Sequence, residues 1–261
     1  MAGGSDERLA LAAFAASVAE EAGALLVERL AQVRIVVDTK STSTDMVTEV
    51  DRASEALIAQ RILEHRPGDG LVGEEGTARP SSTGVEWVAD PLDGTTNYLY
   101  GFPAFSVSIA AMVGGESVAA AVHDPVHHET FTAALGAGAW CNGRRLAVAG
   151  APALATALVG TGFGYDATRR AEQAAVLPRV LPNVRDVRRM GSAALDLCWV
   201  ALGRLDAYYE RGLALWDWAG GSLVAAEAGA TVLTLDDGTT VAAPPHLVDD
   251  LVALLVADGI G

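Results

Sequence analysis

Two aspartates three residues apart, Asp90 and Asp93, stand in the stretch WVADPLDGTTNYLYGFP, between an apolar run and a Gly-Thr-Thr-Asn sequence. Asp-Pro and Asp-Gly are strong turn formers, and a turn alone would account for them. Three further acids, Asp51, Glu74 and Asp217, share their placement at the end of a strand-like run or the start of a helix-like one. Solvated acids more often sit mid-face on helices. Asp217 is pressed between Trp216 and Trp218; as a helix N-cap ahead of WAGGSLVAAEAG it would contribute about 1 kcal/mol. A donor set made only of oxygen suits a hard cation, and no paired Cys or His spacing points to zinc. An EF-hand is excluded, because DPLDGTTN lacks the alternating acids and the glutamate at the twelfth position. His123, His127 and His128 in HDPVHH offer imidazole instead. Lying in a strand-to-turn passage without an acidic partner pattern, they read as surface or hydrogen-bonded side chains.

The residues beside the acids suit an anion. Pro91 forces Asp90 into an extended conformation and turns the chain so that Asp93 faces the same cavity. Gly94 lets the backbone approach a ligand closely. Thr95 and Thr96 begin a helix, whose unpaired amides at a positive dipole end suit phosphate. Carboxylates that hold cations, followed by amides that hold the phosphate those cations activate, form one chemical unit.

Several elements must position these groups. The apolar spacing from Asp6 to Leu30 predicts a long opening helix after an acidic first turn. STSTDMVTEV reads as a polar loop running into Asp51, followed by a helix that stops at Pro67. GLVGEE and GVEWVAD read as short strands, FSVSIAAMV and SVAAAVHDP as a hairpin through Gly114, Gly115 and Glu116, and ETFTAA, GAWCNG and RRLAVA as further sheet. A strand is expected at ALVGTGFG and another at DAYYE. Helices are expected at 168–180, 192–202, 216–229 and 245–256. The fold class is α+β, with helix layers interleaved with two mostly antiparallel sheets. The whole chain, 1–261, is expected to form a single domain with a soft internal boundary near 150–155.

A formal charge of −15 would repel nucleic-acid phosphates and anionic membranes. The arginine clusters at Arg144-Arg145, Arg169-Arg170 and Arg185–Arg189 are too short for a nucleic-acid groove. A small, cation-assisted ligand suits this charge better. No apolar run approaching about 20 residues and no signal-like start are evident, so a cytoplasmic protein is expected. Cys141 and Cys198 read as two buried free thiols. Of the 18 basic residues only Lys40 is lysine, a retention that matters where a compact ammonium is needed.

Taken together, these motifs resemble the inositol monophosphatases, magnesium-dependent and lithium-sensitive phosphomonoesterases, over nearly the full length. DPLDGTTN is similar to the central motif of that family, GEE to its upstream glutamate motif, WDWAGG to its C-terminal motif and KSTSTDMVTEVD to its N-terminal loop. The resemblance implies that Glu74, Asp90, the Leu92 carbonyl, Asp93 and Asp217 bind two or three Mg²⁺ ions. It implies that Gly94 and Thr95 hold the phosphate, that Thr95 and Glu74 orient the attacking water, and that Asp51 lies in the same catalytic constellation. Lys40 falls on the family's loop lysine. Asp93, Ala193 and Glu210 fall where inositol hydroxyls are met, which puts inositol 1-phosphate first. Histidinol phosphate, fructose 1,6-bisphosphate and 3'-phosphoadenosine nucleotides are rivals from related phosphatases. A metal-stabilised regulatory protein without turnover is a reading of another class. The family also implies an αβαβα sandwich and a homodimer. Gly220 departs from the usual alanine, which should alter helix packing more than chemistry, and the connection from Glu74 to Asp90 is shorter than in some relatives.

Overall fold

The computed structural model describes residues 4–37, 43–149, 151 and 153–256, with side chains from 4–30 and from 49 onward within those ranges. Lys40 and two positions of the soft boundary, 150 and 152, lie outside the described residues. Helix α1 (Ser5–Val37) opens on Asp6 and Glu7, which favour its positive end. It lays Leu11, Ala15, Val18, Ala22 and Leu26, three or four residues apart, into the core. Contrary to expectation, its Ser5–Leu30 portion is long and apolar enough to cross a bilayer, with mean hydropathy 1.6; 44% of that apolar window is buried, and it packs as a core helix.

Helix α2 (Ser43–His65) begins well before Asp51, where a polar loop was expected. Asp51 is therefore a mid-helix residue, one position from the inward stripe of Val50, Ser54, Ile58 and Ile62. Strands β1 (Gly70–Gly73), β2 (Ala78–Arg79) and β3 (Val85–Asp93) precede the short helix α3 (Thr95–Tyr100). Strands β4 (Ser106–Val113), β5 (Glu116–Asp124), β6 (Glu129–Ala134), β7 (Gly138–Cys141) and β8 (Arg144–Arg145) complete a sheet ordered β2-β1-β3-β4-β5-β6-β7-β8. Every pairing in it is antiparallel except β1 with β3.

The second half runs β9 (Leu158–Thr161), α4 (Ala167–Ala174), α5 (Leu177–Val180), β10 (Asp186–Arg188), α6 (Ala193–Leu202), β11 (Ala207–Arg211), α7 (Leu215–Glu227), β12 (Thr231–Thr234), β13 (Thr239–Ala243) and α8 (Val248–Val256). Its sheet is ordered β10-β9-β11-β13-β12. The expectation of a mostly antiparallel sheet fails here, because β9 pairs in parallel with both β10 and β11. Helical crossovers between these strands make that possible.

Side chains alternate across each sheet and so define the layers. From the first sheet, Trp87, Ile109 and Ala121 face α1 and α2, while Val88, Ala110 and Val122 face α6 and α7. From the second, Tyr208 and Ala242 join that central layer, while Val159, Tyr209 and Val241 pack against α5 and α8. The result is the expected αβαβα sandwich. Cys141 and Cys198 are buried free thiols.

Candidate active site

The parallel pairing of β1 with β3 brings two strand ends together. Gly73 sits opposite Ala89, so the next residues, Glu74 just past β1 and Asp90 still within β3, stand side by side. Burial, and next to it the charge of Glu74, raises the Asp90 carboxyl well above its usual range. Asp90 Oδ1 accepts from Leu92 N at 3.0 Å.

Residues three apart on a regular strand would face opposite sides of the sheet. Asp90 pairs with Ser108 and Asp93 with Ser106, so β3 spends three residues against two on β4. This bulge at Pro91–Leu92 returns Asp93 to the side of Asp90. It is tied to α2 by Ser54 Oγ, which donates to Pro91 O at 2.9 Å. Asp93 Oδ2 accepts from Ser192 Oγ at 2.6 Å and from Ala194 N at 2.8 Å, which pins it to the start of α6.

Gly94 has φ +92 and closes the strand into α3, and a Cβ there would meet Ala104 O at 2.8 Å. Only glycine fits both demands. The first helical bond runs from Tyr98 N to Gly94 O. The amides of Thr95, Thr96 and Asn97 thus lack a helical acceptor. Thr95 Oγ1 donates to Leu92 O at 3.1 Å, so that carbonyl already holds one partner.

Two more elements converge on these acids. Asp217 is the third residue of α7 and not its N-cap, and its Oδ2 accepts from Ala214 N at 2.6 Å. Gly220, one turn on, lets α7 approach β4, since a Cβ there would stand 2.6 Å from Ser108 Oγ. Asp51 on α2 is 2% exposed, and its Oδ1 has no hydrogen-bond partner. Burial pushes Asp51 up to about 8, with Glu74, Glu75 and Glu55 adding to the rise. Burial likewise pushes Asp93 up to about 7, against Ser192 and Ala194 and with help from Asp217. Asp90 is raised well above its usual range by burial and by Glu74, Asp93, Asp217 and Asp51, and burial raises Glu74 and Asp217 as well.

Among the described residues, no three His, Cys, Asp or Glu side chains already close into a metal cage. Among the described residues no basic side chain pairs with Asp51, Glu74, Asp90, Asp93 or Asp217, and Asp51 Oδ1 is buried without a partner. Carboxylates so arranged can all be ionised only if positive charge is supplied from outside. An all-oxygen donor set fits Mg²⁺.

The alcohol side of the site lies across a cavity of about 190 Å³ lined by Asp93, Gly94, Ala193, Glu210 and Asp217 among others. Ala193 is the first residue of α6. Glu210 is not paired with Arg188 or Arg211, which bind Asp186 and Glu172. Its Oε2 accepts from Tyr208 Oη at 2.7 Å, two residues back on the same face of β11. Gly162 makes room for it, because a Cβ there would stand 2.1 Å from the Glu210 carboxyl carbon. Burial raises Glu210, against Tyr208 and the charge of Arg189.

The chain matches the inositol monophosphatase family over residues 7–255. It belongs to that family. It is similar to the inositol-1-monophosphatase of Mycobacterium bovis, 46% identical, with 96% of this chain and 94% of that protein covered. It is also similar to a protein of Pasteurella multocida named Nus factor SuhB, 42% identical over 80% of this chain and 79% of that one. The solved structure of Mycobacterium tuberculosis SuhB superposes with a TM-score of 0.86 at 46% identity, over 97% of this chain and 99% of that one. Family and fold are as the motifs implied, and membership supports phosphatase activity.

Two of the histidines are hydrogen-bonded as expected, His123 Nδ1 lying 3.0 Å from Thr130 Oγ1 and His127 Nδ1 2.7 Å from Asp124 Oδ2, although Asp124 is an acidic partner that the sequence reading did not see. Sequence reasoning missed Glu55, which is 3% exposed and accepts from Glu75 N at 2.7 Å and Thr77 N at 2.9 Å. It grips the loop that carries Glu74. Its spacing of four from Asp51 on one helix was the available signal. Arg169, Arg189 and Tyr165 also line the cavity and were not anticipated.

Proposed function

We propose that this inositol monophosphatase family member is a Mg²⁺-dependent phosphomonoesterase of small polyol phosphates, inositol 1-phosphate first among them. The convergence of β1, β3, α2 and α7 in one knot of mutually repelling carboxylates, beside the open amides of α3, carries this reading. Glu74, Asp90, the Leu92 carbonyl, Asp93 and Asp217 are the proposed ligands of two or three ions. When bound, such ions lower the pKa of water and stabilise the leaving alkoxide.

The chain's own groups have separable tasks. The amides of Gly94 and Thr95 receive the phosphate. Thr95 gives its hydroxyl proton to Leu92 O and keeps its lone pairs free, so with Glu74 it can accept both protons of one water and aim the remaining lone pair at phosphorus. Asp51 adds negative charge behind Glu74. Glu210 and the backbone at Ala193 meet the hydroxyls of the alcohol. A cavity of this volume is below the roughly 300 Å³ at which drug-sized pockets begin, which suits a small metabolite. Lys40 is proposed to serve the same site from the N-terminal loop, and the protein to act as a homodimer.

Phosphate release from inositol 1-phosphate, histidinol phosphate, fructose 1,6-bisphosphate and a 3'-phosphoadenosine nucleotide, with and without Mg²⁺, tests the reading. Inositol 1-phosphate should lead, and Li⁺ but not Na⁺ should inhibit at high Mg²⁺. The relative named Nus factor SuhB favours a second reading, a regulatory role through a macromolecular partner. Silence of all four substrates with Mg²⁺ present would select it.

A further inference from the structure

The alcohol side of the cavity carries more positive charge than its acid there requires. Arg169, from α4, and Arg189, from the link between β10 and α6, line it opposite Glu210. No carboxylate lies within ion-pair distance of either guanidinium among the described residues. Arg211 is different, since its Nη1 lies 3.3 Å from Glu172 and its Nε 3.8 Å from Asp237. Arg189 Nη2 donates to Phe163 O at 3.3 Å, and its charge answers that of Glu210. Nothing remains for Arg169 to answer.

Both side chains are exposed and pass close to glycines. The Arg169 stem runs where a side chain on Gly164 would stand, with Cδ 3.0 Å from that Cβ position, and its Nη1 lies 3.1 Å from the Cβ position of Gly212. Arg189 Nη1 lies 2.5 Å from the Cβ position of Gly191. Glycine at all three positions leaves the guanidiniums where larger residues would displace them. In a chain of net charge −15, two such groups put positive charge into a cavity that Asp93, Glu210 and Asp217 also line. Guanidinium is the side chain best shaped for a planar carboxylate or a phosphate.

We propose that Arg169 and Arg189 form a second anion subsite, so that on a given small alcohol frame a further carboxylate or phosphate raises kcat/KM over the neutral counterpart. The inference rests on the phosphatase reading and adds a class of substrates to it. Two matched pairs test it: 3-phosphoglycerate against glycerol 3-phosphate for a carboxylate, and fructose 1,6-bisphosphate against fructose 1-phosphate for a phosphate. The quantity read is the anionic-to-neutral ratio of kcat/KM in wild type, Arg169→Gln, Arg189→Gln and the double variant. Each single change should lower the ratio about three- to tenfold at low salt, mainly through KM, and the gap should narrow as KCl is raised. A fall in one pair alone identifies the anion. Equal ratios in wild type and the double variant for both pairs would overturn the subsite. If no compound releases phosphate, the phosphatase reading fails, and calorimetric titration of the same pairs into the same proteins still returns the ratios that decide the subsite.

Discussion

The first sheet buries aspartates at both of its ends, and they behave in opposite ways. At the start of β1, Asp69 is 2% exposed and accepts from Arg66 Nε at 2.7 Å, Thr83 Oγ1 at 2.6 Å and Trp87 Nε1 at 3.0 Å. Burial pushes its pKa up, but these donors outweigh it and the net shift is downward. At the far end of β3, Asp90 is just as buried, has mostly carboxylates around it and is raised well above the usual range. Burial alone therefore does not mark a functional acid. What separates the two is whether the chain supplies the donors or leaves the charge to be met by something bound.

That contrast can be broken by experiment. Asp90→Asn should lower turnover by more than the roughly 10–100-fold typical of residues one shell further from a metal, while the metal-free protein folds at least as well as wild type. Enzyme assay at limiting Mg²⁺ and thermal unfolding in chelator check both halves; near-normal turnover would remove Asp90 from the ligand set. Asp69→Ala should do the reverse. It strands the Trp87 and Thr83 donors and an arginine, costing about 2–3 kcal/mol in a denaturant titration, with activity per folded molecule retained.

Glu210 is an intermediate case, with one donor from Tyr208 and partial compensation by Arg189. Glu210→Gln should cost about 1–3 kcal/mol on inositol 1-phosphate, roughly a 5- to 150-fold fall in kcat/KM, and little on an aryl phosphate without ring hydroxyls. Parallel losses on both substrates would move Glu210 to the catalytic centre. The smallest effect concerns pH. In chelator, Asp51 and Asp93, at about 8 and about 7, hold protons that the unfolded chain releases near 3.8. The folded state binds more protons across that window, so stability should fall as pH rises from about 4 to 8, seen as a falling Tm. Mg²⁺ should flatten the slope. Asp69, with its lowered pKa, contributes oppositely, and its share is lost as pH falls below about 4. Melting curves across pH with and without Mg²⁺ read both limbs, and a flat profile in chelator would mean that the acids are solvated.

Much of the site was legible because its residues are local. Asp90, Asp93, Gly94 and Thr95 lie within six positions, and a strand-to-helix turn built from Pro and Gly announces itself. Asp51 was placed at a helix start because Ser and Thr ahead of it favour loops, whereas α2 already begins at Ser43. Strands β10, β12 and β13 went unseen. Short, Thr-bearing or charged segments show little periodicity, and their pairing depends on partners tens of residues away. Arg169 and Arg189 were invisible as cavity residues for a related reason: Glu210 and Asp217, which line the cavity with them, lie more than twenty residues away in sequence.

The bulge in β3 has a consequence for how this protein tolerates change. Because Asp90 and Asp93, three residues apart, share a side only through the bulge between them, the number of residues in the Pro91–Leu92 segment matters more than their identity. Replacing Leu92 by another apolar residue alters volume, since its proposed contribution is a backbone carbonyl. Deleting one residue there would make the two acids i and i+2 on a regular strand, still on one side but without the bulged segment that carries the Leu92 carbonyl. Deleting both would make them neighbours on opposite faces, disarming the site while leaving every acid in the sequence.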